Sequence, residues 1–160
     1  MREQFLALSM ALFLMSPSWA DSDVEDIQQI LSRDKAPVGV VFEIASTDKD
    51  FLTRVLPVIS NHASHLRRRF PDIKLAIVSH GLEQFSLTKD EAGQGIQKKV
   101  ARLVREHDIP LHVCATFASA HGVDRDAFIA VVNVVQAAAT RVDRYEDEGY
   151  ERVFLEPAEC

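Results

Sequence analysis

The chain has 160 residues, of which 24 are acidic and 18 basic, and its formal net charge at pH 7 is −6. A mildly acidic protein is poorly suited to bind nucleic acid or an anionic membrane, so we exclude both as main partners. Only two cysteines are present, Cys114 and Cys160, which are too few for a disulfide scaffold. Cys160 could bridge Cys114, pair between chains or stay free, and the sequence does not choose among these.

The first twenty residues have the pattern of a secretory signal peptide. Arg2 gives a basic start, residues 5–15 are apolar apart from Ser9, and small residues lead to a cleavage site after Ala20. The apolar run is too short for a membrane-spanning helix, which needs about twenty residues. We therefore expect cleavage, a periplasmic or secreted bacterial protein, and no membrane span after cleavage.

The remaining chain alternates between strands and helices, which predicts a single α/β domain over residues 21–160 after a signal peptide over residues 1–20. The predicted strands are the mainly apolar segments at 38–44, 73–81, 109–114 and 128–132 and a closing strand at 150–155. The predicted helices have apolar residues at helical spacing and cover 21–33, 47–69, a segment beginning at 88, and 135–148. This order predicts a three-layer α/β/α fold around a mostly parallel five-stranded sheet.

Two of the predicted helices begin at capping-box patterns. Thr47 is followed three residues later by Asp50, and Thr88 by Glu91. Pro57 lies inside the first of these helices, so we expect a kink or a break there.

Polar side chains gather at one edge of the predicted sheet. Glu43, His80, Cys114 and the turn at 119–121 all follow or end apolar strands. Ligands of open α/β sheets bind beyond the carboxyl ends of the strands, so this edge is the candidate site.

Cys114 is the candidate nucleophile at that edge. A thiolate is far more reactive than a thiol, and a helix N-terminus or a nearby imidazolium favours it. His112 lies two residues back on the same face of the strand, while His80 and His121 approach from other segments. The alternative is that Cys114 is a small buried apolar residue, as most free cysteines are.

Other chemistries leave no recognisable motif in the chain. There is no C-x-x-C, G-x-S-x-G, H-E-x-x-H, P-loop or G-x-G-x-x-G pattern. A zinc site from His80, His112, Cys114 and His121 has suitable residue types, but its spacing matches no known signature. We expect neither a metal nor a cofactor.

The order of these segments resembles a known family. The runs Val40-Val41-Phe42-Glu43-Ile44, Ala76-Ile77-Val78-Ser79-His80-Gly81, Val113-Cys114-Ala115-Thr116 and Gly149-Tyr150 are similar to those of the DsrE/DsrF-like proteins, most closely to exported members of uncharacterised role. The resemblance covers residues 36–156 and implies a three-layer fold and assembly into dimers, trimers or hexamers.

The resemblance also implies a function in sulfur relay. Its characterised cytoplasmic members carry sulfur as a persulfide on one cysteine, at the position that Cys114 matches. It implies that Cys114 takes sulfur from a donor and passes it to an acceptor thiol, with His80 or His112 favouring the thiolate. Whether this makes the chain a sulfurtransferase-like enzyme or only a carrier stays open. The alternative is a non-catalytic oligomeric protein that binds a small ligand or metal in the strand-end pocket.

Overall fold

The structure, a computed structural model, describes residues 22–156. The predicted signal peptide and Cys160 lie outside the described residues. The strands are β1 (Gly39–Ile44), β2 (Lys74–Ser79), β3 (Leu111–Cys114), β4 (Asn133–Val135) and β5 (Tyr150–Leu155). The α-helices are α1 (Ser22–Leu31), α2 (Phe51–Arg69), α3 (Gln94–Ala101), α4 (Ala115–Ala120) and α5 (Ala138–Asp147). Two 3₁₀ helices, Leu82–Leu87 and Arg125–Ala127, and a π-helical turn, Arg102–Glu106, complete the elements.

The five strands form one sheet in the order β4-β3-β2-β1-β5, and every neighbouring pair is parallel. All their carboxyl ends therefore lie at the same edge. The predicted α/β fold with a parallel five-stranded sheet is confirmed.

Successive side chains of each strand point to opposite faces of the sheet, so both faces present apolar side chains. Helices cover both faces. On one face, Phe42 and Ile44 pack into the larger core with apolar residues of α1, α2 and α3. On the other face, Val41 and Cys114 pack against the apolar side of α5. The predicted inward residues of α5 are buried: Ala138, Val142 and Tyr145.

Helix α5 ends where the sequence predicts. Gly149 has a φ of +90°, a left-handed conformation that glycine adopts without the steric cost of a Cβ atom. The chain then turns directly into β5, which pairs with β1 and forms one edge of the sheet.

The predicted fourth strand at 128–132 is wrong. Phe128, Ile129 and Val132 are buried, but they pack as a loop against the larger core, and β4 begins only at Asn133. The short edge strand is only partly buried, with Asn133 exposed and Val134 and Val135 half-buried, so the stronger apolar signal came from the covering loop and not from the paired segment.

Three predicted helix starts are also wrong. Helix α5 begins at Ala138, not at Val135, which belongs to β4. Helix α2 begins at Phe51, not at Thr47, and it continues through Pro57 without a break. Helix α3 begins at Gln94, and the Thr88 hydroxyl donates to the carbonyl of Phe85 instead of capping a helix. Within residues 22–156, no helix combines the length and apolar character that crossing a membrane requires.

Candidate functional site

Cys114 is the last residue of β3 and the N-cap of α4. Its side chain is buried, with 7% exposed, and its sulfur accepts a hydrogen bond from the Phe117 N–H at 3.5 Å. An N–H donor directed at sulfur stabilises negative charge there, and the thiolate is the nucleophilic form of cysteine. The strand-to-helix junction therefore holds the sulfur in one place with a donor already directed at it.

Gln84 supports the backbone of Cys114 from a different segment. Its side chain is fully buried in the 3₁₀ helix Leu82–Leu87, and its Oε1 accepts the Cys114 N–H at 2.8 Å. Its Nε2 has no hydrogen-bond partner among residues 22–156. The Gln84 amide thus binds the Cys114 backbone through its oxygen, while its nitrogen is a buried hydrogen-bond donor at the site.

Glu83, the residue before Gln84, joins the turns that follow β1 and β2. Its fully buried carboxylate accepts the Ser46 N–H at 2.8 Å, the Ser79 hydroxyl at 2.7 Å and the Gly81 N–H at 2.9 Å. A Cβ atom at Gly81 would lie 2.4 Å from the Ser46 nitrogen, so only glycine permits this close approach. Sequence reasoning missed Glu83 and Gln84, although two polar residues between the apolar Leu82 and Phe85 were the available signal.

His80 is paired with Glu43 at the carboxyl edge of β1 and β2. The His80 Nε2 lies 2.7 Å from the Glu43 Oε1, and Arg152 of β5 contacts the other carboxylate oxygen. Burial raises the pKa of Glu43, but the His80 hydrogen bond and the Arg152 charge outweigh it, and the net pKa is below the ordinary value. The result is an imidazole with 28% exposure, oriented by a buried carboxylate.

His80 and Cys114 follow paired residues of two adjacent strands. Ser79, the last residue of β2, pairs in register with Val113, and His80 and Cys114 are the next residues of the two segments. The His80 N–H donates to the carbonyl of Ile44 in β1 and the Cys114 N–H donates to Gln84, so the β2–β3 ladder ends at Ser79 and Val113. In the part of the chain that the structure describes, no hydrogen bond joins the imidazole of His80 or of His112 to Cys114.

His112 lies on the same strand as Cys114 but contacts helix α5. Its Nε2 is 2.8 Å from the Tyr145 hydroxyl, which also accepts a hydrogen bond from Arg141. Burial, with a smaller contribution from the positive charge of Arg141, lowers the pKa of His112 to about 4. His112 is therefore neutral at pH 7 and does not supply a positive charge to Cys114.

The buried His112 should make the protein less stable in mild acid. The unfolded chain has a histidine pKa of about 6.5 and so binds a proton that the native state excludes down to pH 4. Stability contributed by His112 is thus fully present above pH 6.5 and falls as pH drops towards 4. Between pH 7.5 and 4.5 the free energy of unfolding should decrease by about 2–3 kcal/mol from this residue alone.

Urea unfolding at the two pH values measures this effect. His112→Gln removes the ionisable group, so the variant should lose about 2–3 kcal/mol less stability than the parent over the same interval. The difference between the two proteins separates His112 from carboxylates such as Glu43 that also titrate in acid. Equal losses in both proteins would contradict a neutral buried His112.

His121 lies after α4, beside the aromatic side chains of Phe85 and Phe117. Its Nδ1 donates to the Phe117 carbonyl at 2.9 Å, and it borders a cavity of about 520 Å³. Among the described residues, no group of three or more histidine, cysteine or acidic side chains is placed to hold a metal ion. The four residues considered for zinc from their type are therefore not assembled into a metal site.

Comparison with known proteins identifies the fold of the chain but not its function. No protein-family model and no curated protein match the chain. Among solved structures, it is similar to a protein of unknown function, MTH1491, from Methanobacterium thermoautotrophicum, with a TM-score of 0.58, 20% identity, and coverage of 74% of this chain and 97% of that one.

Two further solved structures show the same likeness. The ychN protein from E. coli has a TM-score of 0.53 and 12% identity, covering 73% of this chain and 99% of that one. The conserved protein of unknown function BT1422 from Bacteroides thetaiotaomicron has a TM-score of 0.53 and 14% identity, covering 72% of this chain and 93% of that one. The chain has a DsrE/YchN-like fold, and at these identities the likeness shows the fold alone.

Proposed function

We propose that the protein is a sulfur carrier that holds a transferable sulfur atom as a persulfide on Cys114. The observation that carries the proposal is the position of the Cys114 sulfur, at the end of a central strand with the Phe117 N–H directed at it. The YchN-like fold agrees with the sequence resemblance to the DsrE/DsrF-like proteins, and that resemblance implies that Cys114 matches their sulfur-carrying cysteine.

The proposed chemistry has two steps. The Cys114 thiolate attacks a sulfane sulfur on a donor, a new sulfur–sulfur bond forms, and the donor's remaining group leaves with the electron pair of the broken bond. An acceptor thiolate then attacks the outer sulfur, forms its own persulfide, and releases the Cys114 thiolate. The Cys114 sulfur carries the negative charge before uptake and after release, and the Phe117 N–H stabilises it in these two states.

Intact-protein mass spectrometry tests this function. The purified protein, incubated with polysulfide, should gain the mass of one sulfur atom and lose it again on addition of an acceptor thiol. Alkylation of the folded protein should label Cys114 in the same preparation. No mass gain, together with a Cys114 that resists alkylation, would refute the carrier function and leave a non-catalytic ligand-binding role.

His80 is the histidine that we propose assists Cys114, since His112 is neutral and bound to Tyr145. Its imidazole is accessible, is oriented by Glu43, and follows the strand next to Cys114. His80→Ala should slow sulfur uptake at pH 7 by at least about tenfold, because the neighbouring imidazole would no longer favour the thiolate.

Initial rates of sulfur uptake from polysulfide measure the effect of this substitution. The matched control is His107→Ala, which alters an exposed histidine before β3, at the amino edge of the sheet. Equal rates for the parent and both variants would exclude His80 from the reaction.

Export and self-assembly belong to the proposal as well. Both rest on the sequence: the signal-peptide pattern of the first twenty residues and the resemblance to oligomeric proteins. A periplasmic or secreted carrier would exchange sulfur with donor and acceptor thiols outside the reducing cytoplasm.

A further inference from the structure

Three arginines gather around the connection between β4 and α5, although the chain as a whole is acidic. A cavity of about 350 Å³ opens there, lined by Val135, Gln136, Ala137, Thr140, Arg141 and Arg144. Arg125 reaches the same connection from the preceding loop, because it donates to the carbonyl of Val134 at 2.6 Å and to the Gln136 Oε1 at 3.3 Å. The connection between β4 and α5 therefore carries positive charge, although the protein as a whole is acidic.

None of these three guanidinium groups is ion-paired with a carboxylate within residues 22–156. Arg141 donates to the Tyr145 hydroxyl at 3.0 Å, but its Nε is buried without a hydrogen-bond partner. Arg144 is exposed at the cavity wall. Positive charges and donors that no protein carboxylate neutralises are the usual elements of an oxyanion site.

The amino end of α5 adds donors at the same place. Ala137, which precedes this ten-residue helix, makes no side-chain cap, so the first N–H groups of the helix receive no side-chain acceptor from that position. Such groups favour an anion through their direction and through the helix dipole.

The cavity lies beside Cys114. Cys114 pairs in register with Val135, so their backbones are about 4.8 Å apart on neighbouring strands. The Thr116 hydroxyl and N–H both donate to the carbonyl of Gln136, at 2.7 and 3.1 Å, which ties the segment after Cys114 to the cavity wall. Cys114 also packs in the same apolar cluster as Ala138, the first residue of α5.

We propose that this cavity binds the oxyanion end of a small sulfur donor of the thiosulfate type and presents its sulfane sulfur to Cys114. The inference rests on the proposed carrier function for the transfer step, but the anion site itself does not. In that step the Cys114 thiolate bonds to the sulfane sulfur, the sulfur–sulfur bond of thiosulfate breaks, and sulfite leaves with the electron pair. The charge balances, since a thiolate and a dianion become a persulfide anion and a dianion.

Isothermal titration calorimetry of the full chain tests the anion site. Thiosulfate is titrated into Cys114→Ser protein, in which no sulfur transfer accompanies binding, and sulfate is used as a competitor. We expect Arg144→Gln and Arg141→Gln each to weaken thiosulfate binding about tenfold or more, as loss of a charge-assisted hydrogen bond should. Arg141→Gln also removes the hydrogen bond to the Tyr145 hydroxyl. Because Arg144 is exposed, Arg144→Gln tests the anion site without that change.

The matched control is Arg105→Gln, which removes an exposed arginine in the π-helical turn before β3. Unchanged binding in this control, with sulfate displacing thiosulfate, supports the site. No thiosulfate binding, or an equal loss in all three arginine variants, would overturn it.

Sulfur uptake by protein with Cys114 intact separates this inference from the carrier function. Arg144→Gln should slow uptake from thiosulfate while leaving uptake from polysulfide, which has no sulfonate group, unchanged. If uptake from both donors is unaffected, the anion site is refuted and the carrier function stands. If thiosulfate binds through the arginines but no donor ever adds sulfur, the anion site stands and the carrier function fails.

Discussion

Cys114→Ser should abolish the sulfur adduct completely, because serine has no sulfur to carry it. The substitution is well suited to the site, since serine is a preferred N-cap residue and can accept the Phe117 N–H in place of the thiol. We therefore expect the variant to fold normally while showing no mass gain with polysulfide or thiosulfate. Intact-protein mass spectrometry, with thermal unfolding as a check of the fold, measures both outcomes.

Cys160→Ser is the control for this experiment, since Cys160 is the only other thiol of the chain. It should leave the adduct on Cys114 unchanged in mass and in rate. If Cys160→Ser alone removes the adduct, the assignment of the site to Cys114 is wrong. If each single variant keeps an adduct, the sulfur is not specific to either cysteine and the proposed carrier chemistry is refuted.

Glu83→Ala should cause the largest loss of stability that the site predicts. The substitution leaves three buried donors without an acceptor: the Ser46 N–H, the Ser79 hydroxyl and the Gly81 N–H. Each unsatisfied buried donor costs about 1–3 kcal/mol, so we expect the free energy of unfolding to fall by about 3–5 kcal/mol. That is a large part of the about 5–15 kcal/mol typical of a domain, and urea unfolding at pH 7.5 measures it.

Two further variants provide reference values for the expected loss in the free energy of unfolding. Glu83→Gln keeps one acceptor oxygen but places an amide donor among the donors, so its loss should be smaller than that of Glu83→Ala. Glu106→Ala breaks an exposed ion pair with Arg102 and should change stability little. A Glu83→Ala protein as stable as the Glu106→Ala protein would show that Glu83 does not hold the two turns together.

The fold was largely predictable because its three inner strands are buried on both faces. Such strands appear in sequence as nearly continuous apolar runs, and β1, β2 and β3 lie within the runs that predicted them. The closing strand predicted at 150–155 is β5. The fourth strand was missed because Phe128 and Ile129 are buried in a loop, and hydrophobicity reports burial, not pairing. The starts of α2 and α3 were missed because capping-box patterns occur at Thr47 and Thr88 without a helix following at once.

The site was predictable only in part. The strand assignments alone predicted that Glu43, His80 and Cys114 lie at one edge of the sheet, but the adjacency of β1, β2 and β3 came from the structure. Its polar contacts did not, because Gln84 supports Cys114 from thirty positions earlier in the chain. A contact across that separation leaves no periodicity or motif in one sequence.

The sequence by itself determined the parallel α/β fold and the position of Cys114 at the end of a strand, since both depend on local apolar patterns and on chain order. Only the tertiary structure decided the state of the groups around it. It removed His112 from the candidate bases by burying it beside Tyr145 and Arg141, and it paired His80 with Glu43. It also brought three arginines that have no carboxylate partner among residues 22–156 next to the cysteine strand, because helix α5 begins beside the end of β3 only after the sheet has formed.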